Sequence, residues 1–322
     1  MMKAFFTLSL ATLFLATIAM PDPVKALTYA NVNTQAIELF QQGKYAEAVE
    51  REGQAIKMAE EKLSTDDEKV TNMLLNLARM HEAQKTYADA VPIYQRVISI
   101  QEKNSGAESL EVAGSWESLG SLYVLLEKYT EAENALRKAI AVLQKTKGAD
   151  NSETIDTCET LAWAYQRENK YANALALHER VLAAWEKSLG PEDPKLGNVC
   201  HNIAYLDEKL KKHKEAEAMY KRALAIREKA APDGADVAQS LDFLAKLYYN
   251  QGKFMSAEPY LKRDLAVKEK LVGANNPELI SILEPYADVL EQMKKVNTER
   301  QVKDRLRKLR EIEKESGKSK SE

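Results

Sequence analysis

Six side chains in this sequence are of the types that act as nucleophiles, general bases or metal ligands: His81, His178, His201 and His213, with Cys158 and Cys200. Their spacing gives them little to do together. No two histidines stand four residues apart, the spacing that would set both on one helical face around a metal ion. The chain has no G-x-S-x-G elbow, no H-E-x-x-H, no phosphate loop ending in Gly-Lys-Ser/Thr and no C-x-x-C. Its 49 acidic residues are matched by 46 basic ones, and carboxylates spread so evenly read as solvated faces. The expectation is a protein that is not an enzyme and uses no metal or cofactor. A net charge of −3 supplies no field that would draw in nucleic acid. What remains is noncovalent binding by aromatic, amide and charged side chains, provided something holds them on one face.

The holding element is a repeat. GKYAEA (43–48), KTYADA (85–90), EKYTEA (127–132), NKYANA (169–174), KKHKEA (211–216) and GKFMSA (252–257) are one motif written six times. Its aromatic position runs Tyr45, Tyr87, Tyr129, Tyr171, His213 and Phe254, in steps of 42, 42, 42, 42 and 41. An alanine closes each copy: Ala48, Ala90, Ala132, Ala174, Ala216 and Ala257. Earlier by twelve residues (by thirteen before none of them) stands a second small residue: Ala36, Ala78, Gly120, Ala162, Ala204 and Ala245, with Ala287 once more. Each unit reads as a helical hairpin. Helix A carries apolar residues at helical spacing, such as Leu119, Leu122 and Tyr123; the motif makes the turn, and helix B follows. The small residues let the two helices approach within about 8–10 Å. Asp67, Ser109, Asn151, Asp193-Pro194 and Asn276-Pro277 are N-cap signals restarting helix A. One hairpin cannot bury its own apolar face, so the units must stack into a continuous superhelix. Cys158 and Cys200 fall at one position of adjacent A helices, four residues before the small Ala. That spacing exceeds the roughly 7 Å a disulfide tolerates, so two buried free thiols are expected.

The pairs Leu119-Gly120, Tyr123 and Ala132 resemble the tetratricopeptide pattern. The 42-residue period, with RALAIREK (222–229), SLGPEDPKLG (188–197) and HNIAYL (201–206), is similar to its kinesin-light-chain subclass. The resemblance covers residues 30–298 or so and implies an all-α, right-handed superhelical solenoid of about seven hairpins over 27–298. It also implies that the A helices line a concave groove. On that map the groove residues are Asn76 and Arg79; Glu159, Trp163 and Arg167; Asn198, His201, Asn202, Tyr205 and Lys209; and Asp242, Phe243, Lys246 and Tyr249. Trp163, Tyr205, Phe243 and Tyr249 make an aromatic stripe, and exposed groove aromatics are the usual anchors of binding. Asn202 matches the groove Asn of the subclass, which clamps an extended peptide backbone by donor and acceptor together.

The seventh unit departs from the pattern, with Glu299 at the close-packing Ala position. The charged segment 299–315 is expected to be a capping helix and 316–322 a disordered tail. At the other end, Lys3 followed by the apolar run 4–20 and Val24-Lys25-Ala26 reads as a signal peptide over residues 1–26. Cleavage after Ala26 would leave the protein periplasmic or extracellular; an uncleaved N-terminal anchor is the alternative. The functional expectation is an exported scaffold binding a partner protein or peptide in its groove, with homo-oligomer formation open. A self-assembling solenoid of the cell envelope is the second reading, and an unrecognised enzyme a remote third.

Overall fold

The computed structural model describes residues 28–318; the leader over 1–26 and the final four residues of the tail lie outside the described residues. The chain divides into two compact units, residues 1–84 and 85–322. Described residues of the first form α1 (Tyr29–Gln41), α2 (Tyr45–Glu60) and α3 (Glu68–Ala83). Those of the second form α4 (Tyr87–Ser105), α5 (Leu110–Leu125), α6 (Tyr129–Thr146), α7 (Ser152–Arg167), α8 (Tyr171–Leu189), α9 (Lys195–Lys209) and α10 (His213–Ala230). They continue as α11 (Ala235–Asn250), α12 (Phe254–Val272), a 3-10 turn (Pro277–Leu279), α13 (Ile280–Gln292) and α14 (Val296–Lys318). Among the described residues there is no strand. Within the second unit each helix packs on the next in chain order, and α5 also reaches α7. This is the all-α hairpin solenoid that the repeat requires.

The small residues sit where the helices touch. Ala36 and Ala48 in the first unit, and Ala132, Ala162, Ala174, Ala204 and Ala216 in the second, are completely buried. Gly120 shows how close the approach is: a Cβ there would lie 2.6 Å from Cγ of Leu136. Larger side chains would force the helices apart, at roughly 1–3 kcal/mol per site. The caps form as expected. Asp67, Ser109 and Asn151 accept from the backbone N–H of Lys69 (2.8 Å), Val112 (3.3 Å) and Glu153 (3.1 Å). Asp193 and Asn276 do the same for Lys195 and Glu278, both at 2.9 Å. Cys158 and Cys200 are buried, free thiols, and burial raises both pKa values.

The turn between helices A and B has a feature of its own. Gly43, Lys85, Glu127, Asn169, Lys211, Gly252 and Lys294 are equivalent residues, and all have φ between 58° and 76°. The following N–H closes back on the helix: Lys128 N to Tyr123 O, Lys170 N to Tyr165 O and Lys212 N to Asp207 O, each 2.8 Å. That is the left-handed helix stop that glycine suits best. Farther along, a ladder of ion pairs repeats with the hairpins. Lys145 meets Glu108, Lys187 meets Asp150 (2.9 Å), Lys229 meets Glu192 and Lys270 meets Asp233 (2.8 Å). Each links the last turn of a B helix to the loop before its own hairpin, and being exposed and screened by solvent each adds little to stability. The last helix begins at Val296, three residues before the expected start, and its Val302, Leu306 and Leu309 complete the core of the preceding hairpins. Its other described side chains face outward, as a cap requires.

Because a side chain held in the left-handed region is strained, Glu127→Gly and Lys211→Gly should each stabilise the chain by about 0.5–1 kcal/mol after glycine's own entropy cost. Denaturant unfolding checks this; Gly252→Ala should move the midpoint the other way.

Candidate functional site

The expected groove residues fall on four A helices. Asn76 and Arg79 lie on α3 in the first unit. There Asn76, half-buried, donates to the carboxylate of the fully buried Glu52, whose pKa burial raises to about 7. Asn76 also lines a cleft of about 290 Å³ with Tyr29, Asn33, Lys69 and Asn72, whereas Arg79 is exposed.

The remaining twelve lie on α7, α9 and α11, at matching positions of the repeat. Glu159, His201 and Asp242 are equivalent; so are Trp163, Tyr205 and Lys246; so are Asn202 and Phe243. On each helix these positions follow one another by about one turn, which sets them on one face.

On α7 the indole of Trp163 is 43% exposed, an unusual state for so large an apolar group. It is held from one side by the edge of Tyr129, with ring centroids 6.5 Å apart. The Arg167 guanidinium lies 5.5 Å from the indole centroid and donates to the Tyr129 hydroxyl at 3.2 Å. Glu159 is half-buried, and desolvation, with the neighbouring charge of Asp156, raises its pKa.

On α9 the structure separates residues that sequence spacing groups together. Tyr205 is half-exposed, with the Lys209 ammonium 5.1 Å from its ring centroid. Asn202 is half-buried and makes no side-chain hydrogen bond among the described residues. Asn198 is exposed but already engaged: its Oδ1 accepts from Nη2 of the buried Arg227 at 2.8 Å. Arg227 also donates to Ser240 Oγ at 2.6 Å and to the Asp236 carbonyl at 3.1 Å, pinning α10 to α9 and α11. His201 packs its ring 4.5 Å from Phe243 and 5.5 Å from Tyr220, and Tyr220 stacks on Phe243 at 5.6 Å. Burial, then the charge of Arg227, depress the His201 pKa to about 4.

On α11, Phe243 therefore fills the seam between hairpins. Lys246 pairs with Asp242 at 2.7 Å and lies 5.8 Å from the Phe243 centroid. Tyr249, 37% exposed, donates to Asp288 and packs on Phe254 at 5.7 Å. Trp163 on α7 and Tyr249 on α11 are thus the exposed rings of the stripe, Tyr205 on α9 is half-exposed, and Phe243 is tied into packing.

Among the buried polar groups on B helices, four lie outside the groove map, which is drawn on A helices. Glu52 and His178 take the position filled by Tyr94, Leu136, Tyr220 and Leu261 in other hairpins. Asp264 takes that of Val97, Ala139, Val181 and Ala223, and Arg227 that of Leu143. Aligning the B helices as strictly as the A helices exposes Glu52, His178 and Asp264 as breaks in apolar columns, whereas the Arg227 column also holds Gln101 and Lys268. His178 is 1% exposed, neither ring nitrogen has a protein partner, and burial lowers its pKa to about 4. Asp264, fully buried 3.3 Å from Lys268, is raised to about 6 by burial. Among the described residues no group of three His, Cys, Asp or Glu is placed to hold a metal ion.

The geometry invites comparison with known proteins. The tetratricopeptide-repeat family profile matches residues 69–145, 111–186 and 153–229, and a second profile of that description matches 237–278. Kinesin-light-chain-type, nearly identical TPR-like repeats from Podosopora anserina superpose with a TM-score of 0.55 at 25% identity, covering 63% of this chain and 96% of that one. BtubC (BKLC) from P. vanneervenii gives 0.54 at 16% identity, covering 76% and 91%, and shows likeness of fold alone. No curated protein matches the sequence.

The buried histidines predict an acid response. Their folded pKa values lie near 4, below the usual 6.5, so the unfolded chain binds more protons between those values and stability falls as pH falls through that window. Asp264 and Glu52, raised to about 6 and about 7, act oppositely, losing stability as pH rises through their windows. Melting curves from pH 7 to 4.5 should therefore show His178→Tyr losing less on acidification than the parent, at about 2–4 °C for each kcal/mol of linkage removed.

Proposed function

Because the chain belongs to the tetratricopeptide-repeat family, whose members are in general non-catalytic scaffolds for protein–protein interaction, we propose that it is an exported scaffold that holds an extended segment of a partner protein across α7 and α9. The observation that carries this is the exposed indole of Trp163, buttressed by Tyr129 and Arg167, one hairpin away from Tyr205 under Lys209. Such a side chain is already ordered, so a ligand that covers it gains apolar burial without paying again for its immobilisation. Asn202 stands beside Tyr205 on α9 with its amide uncommitted, able to donate to and accept from a peptide backbone. The flanking cations and carboxylates alternate along the face, which suits a mixed-charge segment. Export rests on the residues alone: Lys3, the apolar run 4–20 and the small-residue site ending at Ala26. No helix among the described residues is long and apolar enough to cross a membrane.

A second reading, self-association, draws on Met255, 80% exposed beside Phe254 and Met293 around a cleft of about 620 Å³. Light scattering separates the two: a mass independent of concentration removes self-association.

The first test is capture of a partner from envelope extract by the full chain, beside a Trp163→Ala, Tyr205→Ala double variant. Each ring that anchors a ligand contributes about 2 kcal/mol, so loss of capture by at least about 30-fold in affinity per ring is expected. Melting should barely change, because neither ring is fully buried. Equal capture by both proteins would move binding to another surface.

A further inference from the structure

The seam between hairpins is filled in two different ways. Between α9, α10 and α11 it is filled by rings: His201, Tyr220 and Phe243 touch one another at 4.5–5.6 Å. One repeat earlier the same three positions are Glu159 on α7, His178 on α8 and Asn202 on α9. Three interlocking rings have been replaced by a carboxylate, an imidazole and an amide.

The register says where His178 points. It occupies the position of Tyr220, whose ring lies against the residues equivalent to Glu159 and Asn202, so the imidazole is aimed at the seam between those two side chains. It is 1% exposed, and Nδ1 and Nε2 both lack a protein partner. Glu159 and Asn202 likewise make no hydrogen bond or ion pair among the described residues. Leaving a buried imidazole unsatisfied costs stability, and Tyr or Leu serves at this position elsewhere in the chain. A residue that breaks the local pattern without structural return marks a functional position.

The charge on Glu159 itself is negative, with Arg227 reaching α9 from the far side at Asn198 and Arg180 acting on Cys158. Asp156 acts on both Glu117 and Glu159, so carboxylates of α5 and α7 converge here. The cations that temper them, Lys147 and Lys195, are engaged, the first with Glu153 and the second 5.9 Å from the Trp185 ring centroid. A neutral imidazole nitrogen, an amide oxygen and two carboxylate oxygens all offer acceptors, and an Arg or Lys side chain consists of donors. Trp163 follows Glu159 by one turn and Tyr205 follows Asn202 by three residues, giving flat surfaces for the aliphatic stem of such a side chain.

We propose that Glu159, His178 and Asn202 form a subsite for one cationic side chain, an arginine or lysine of the bound segment, entering between α7 and α9. This rests on the groove reading above and narrows it: the partner carries a basic residue at the point that crosses this seam.

The test uses full-length chain with isotope-labelled histidine and tryptophan, titrated with a blocked Gly-Ser-Arg-Ser-Gly peptide. Parallel titrations replace Arg by Lys, or by citrulline, which keeps the shape and removes the charge. The Arg or Lys peptide should shift the His178 ring signals saturably, and citrulline should bind at least about 10-fold more weakly, the loss of one charge-assisted hydrogen bond. Glu159→Gln should reduce the charged peptide to the citrulline level while leaving the melting temperature in place. His178→Tyr, which restores the ring of the neighbouring hairpin, should melt higher and lose the shift of the Trp163 indole. Equal binding of Arg and citrulline peptides, or undiminished binding to Glu159→Gln, overturns the proposal. So does the absence of any shift with either charged peptide. The groove reading has its own fate: if partner capture still depends on Trp163 and Tyr205 in that case, the groove stands and only the cation subsite falls.

Discussion

Close contact between the two helices of each hairpin is the constraint on which the rest depends. It is met by an alanine or glycine on each helix in the first six repeats, and the distance of 2.6 Å between a hypothetical Cβ on Gly120 and the Leu136 side chain shows how little room is left. Helices that approach this closely have no freedom to slide, so the register of every A helix against its neighbours is fixed to within a residue. Registration is what converts a sequence period into a surface. It brings Trp163 and Tyr205 to matching places on successive helices, and it puts ion pairs at matching places on the opposite ends of the B helices.

A solenoid built this way has many equivalent positions, and most are filled alike because the packing problem is the same at each. The exceptions are therefore informative. Arg227, buried among Asn198, Ser240 and the Asp236 carbonyl, donates through both Nη atoms, with Nε alone lacking a protein partner, and behaves as an internal staple. His178 replaces Tyr or Leu and finds no partner. Arg227 is held by three hydrogen bonds and His178 by none, and that difference separates a structural substitution from a candidate binding group.

The same comparison divides the aromatic stripe. Four rings at helical spacing look equivalent in the sequence, yet Phe243 is packed against His201 and Tyr220, whereas Trp163 and Tyr249 stay exposed. What decides is the residue type across the seam. Phe243 meets two rings from the hairpin before it; one repeat earlier the equivalent positions hold Glu159 and His178, side chains of a different kind.

The sequence by itself determined the hairpins, their boundaries at Asp67, Ser109, Asn151, Asp193 and Asn276, the buried alanines and the fate of Cys158 and Cys200 as buried thiols. It could do so because period, cap chemistry and residue size are local properties that each repeat states again. It also placed Glu159, Trp163, Asn202 and Tyr205 on A-helix faces. Only the tertiary structure decided which of those faces stays open, that Asn198 is engaged by a guanidinium 29 residues away, and that His178 is buried with both ring nitrogens unpartnered. Those facts depend on which side chains meet between hairpins, and contacts between residues far apart in the chain follow from packing in three dimensions, which no single repeat encodes.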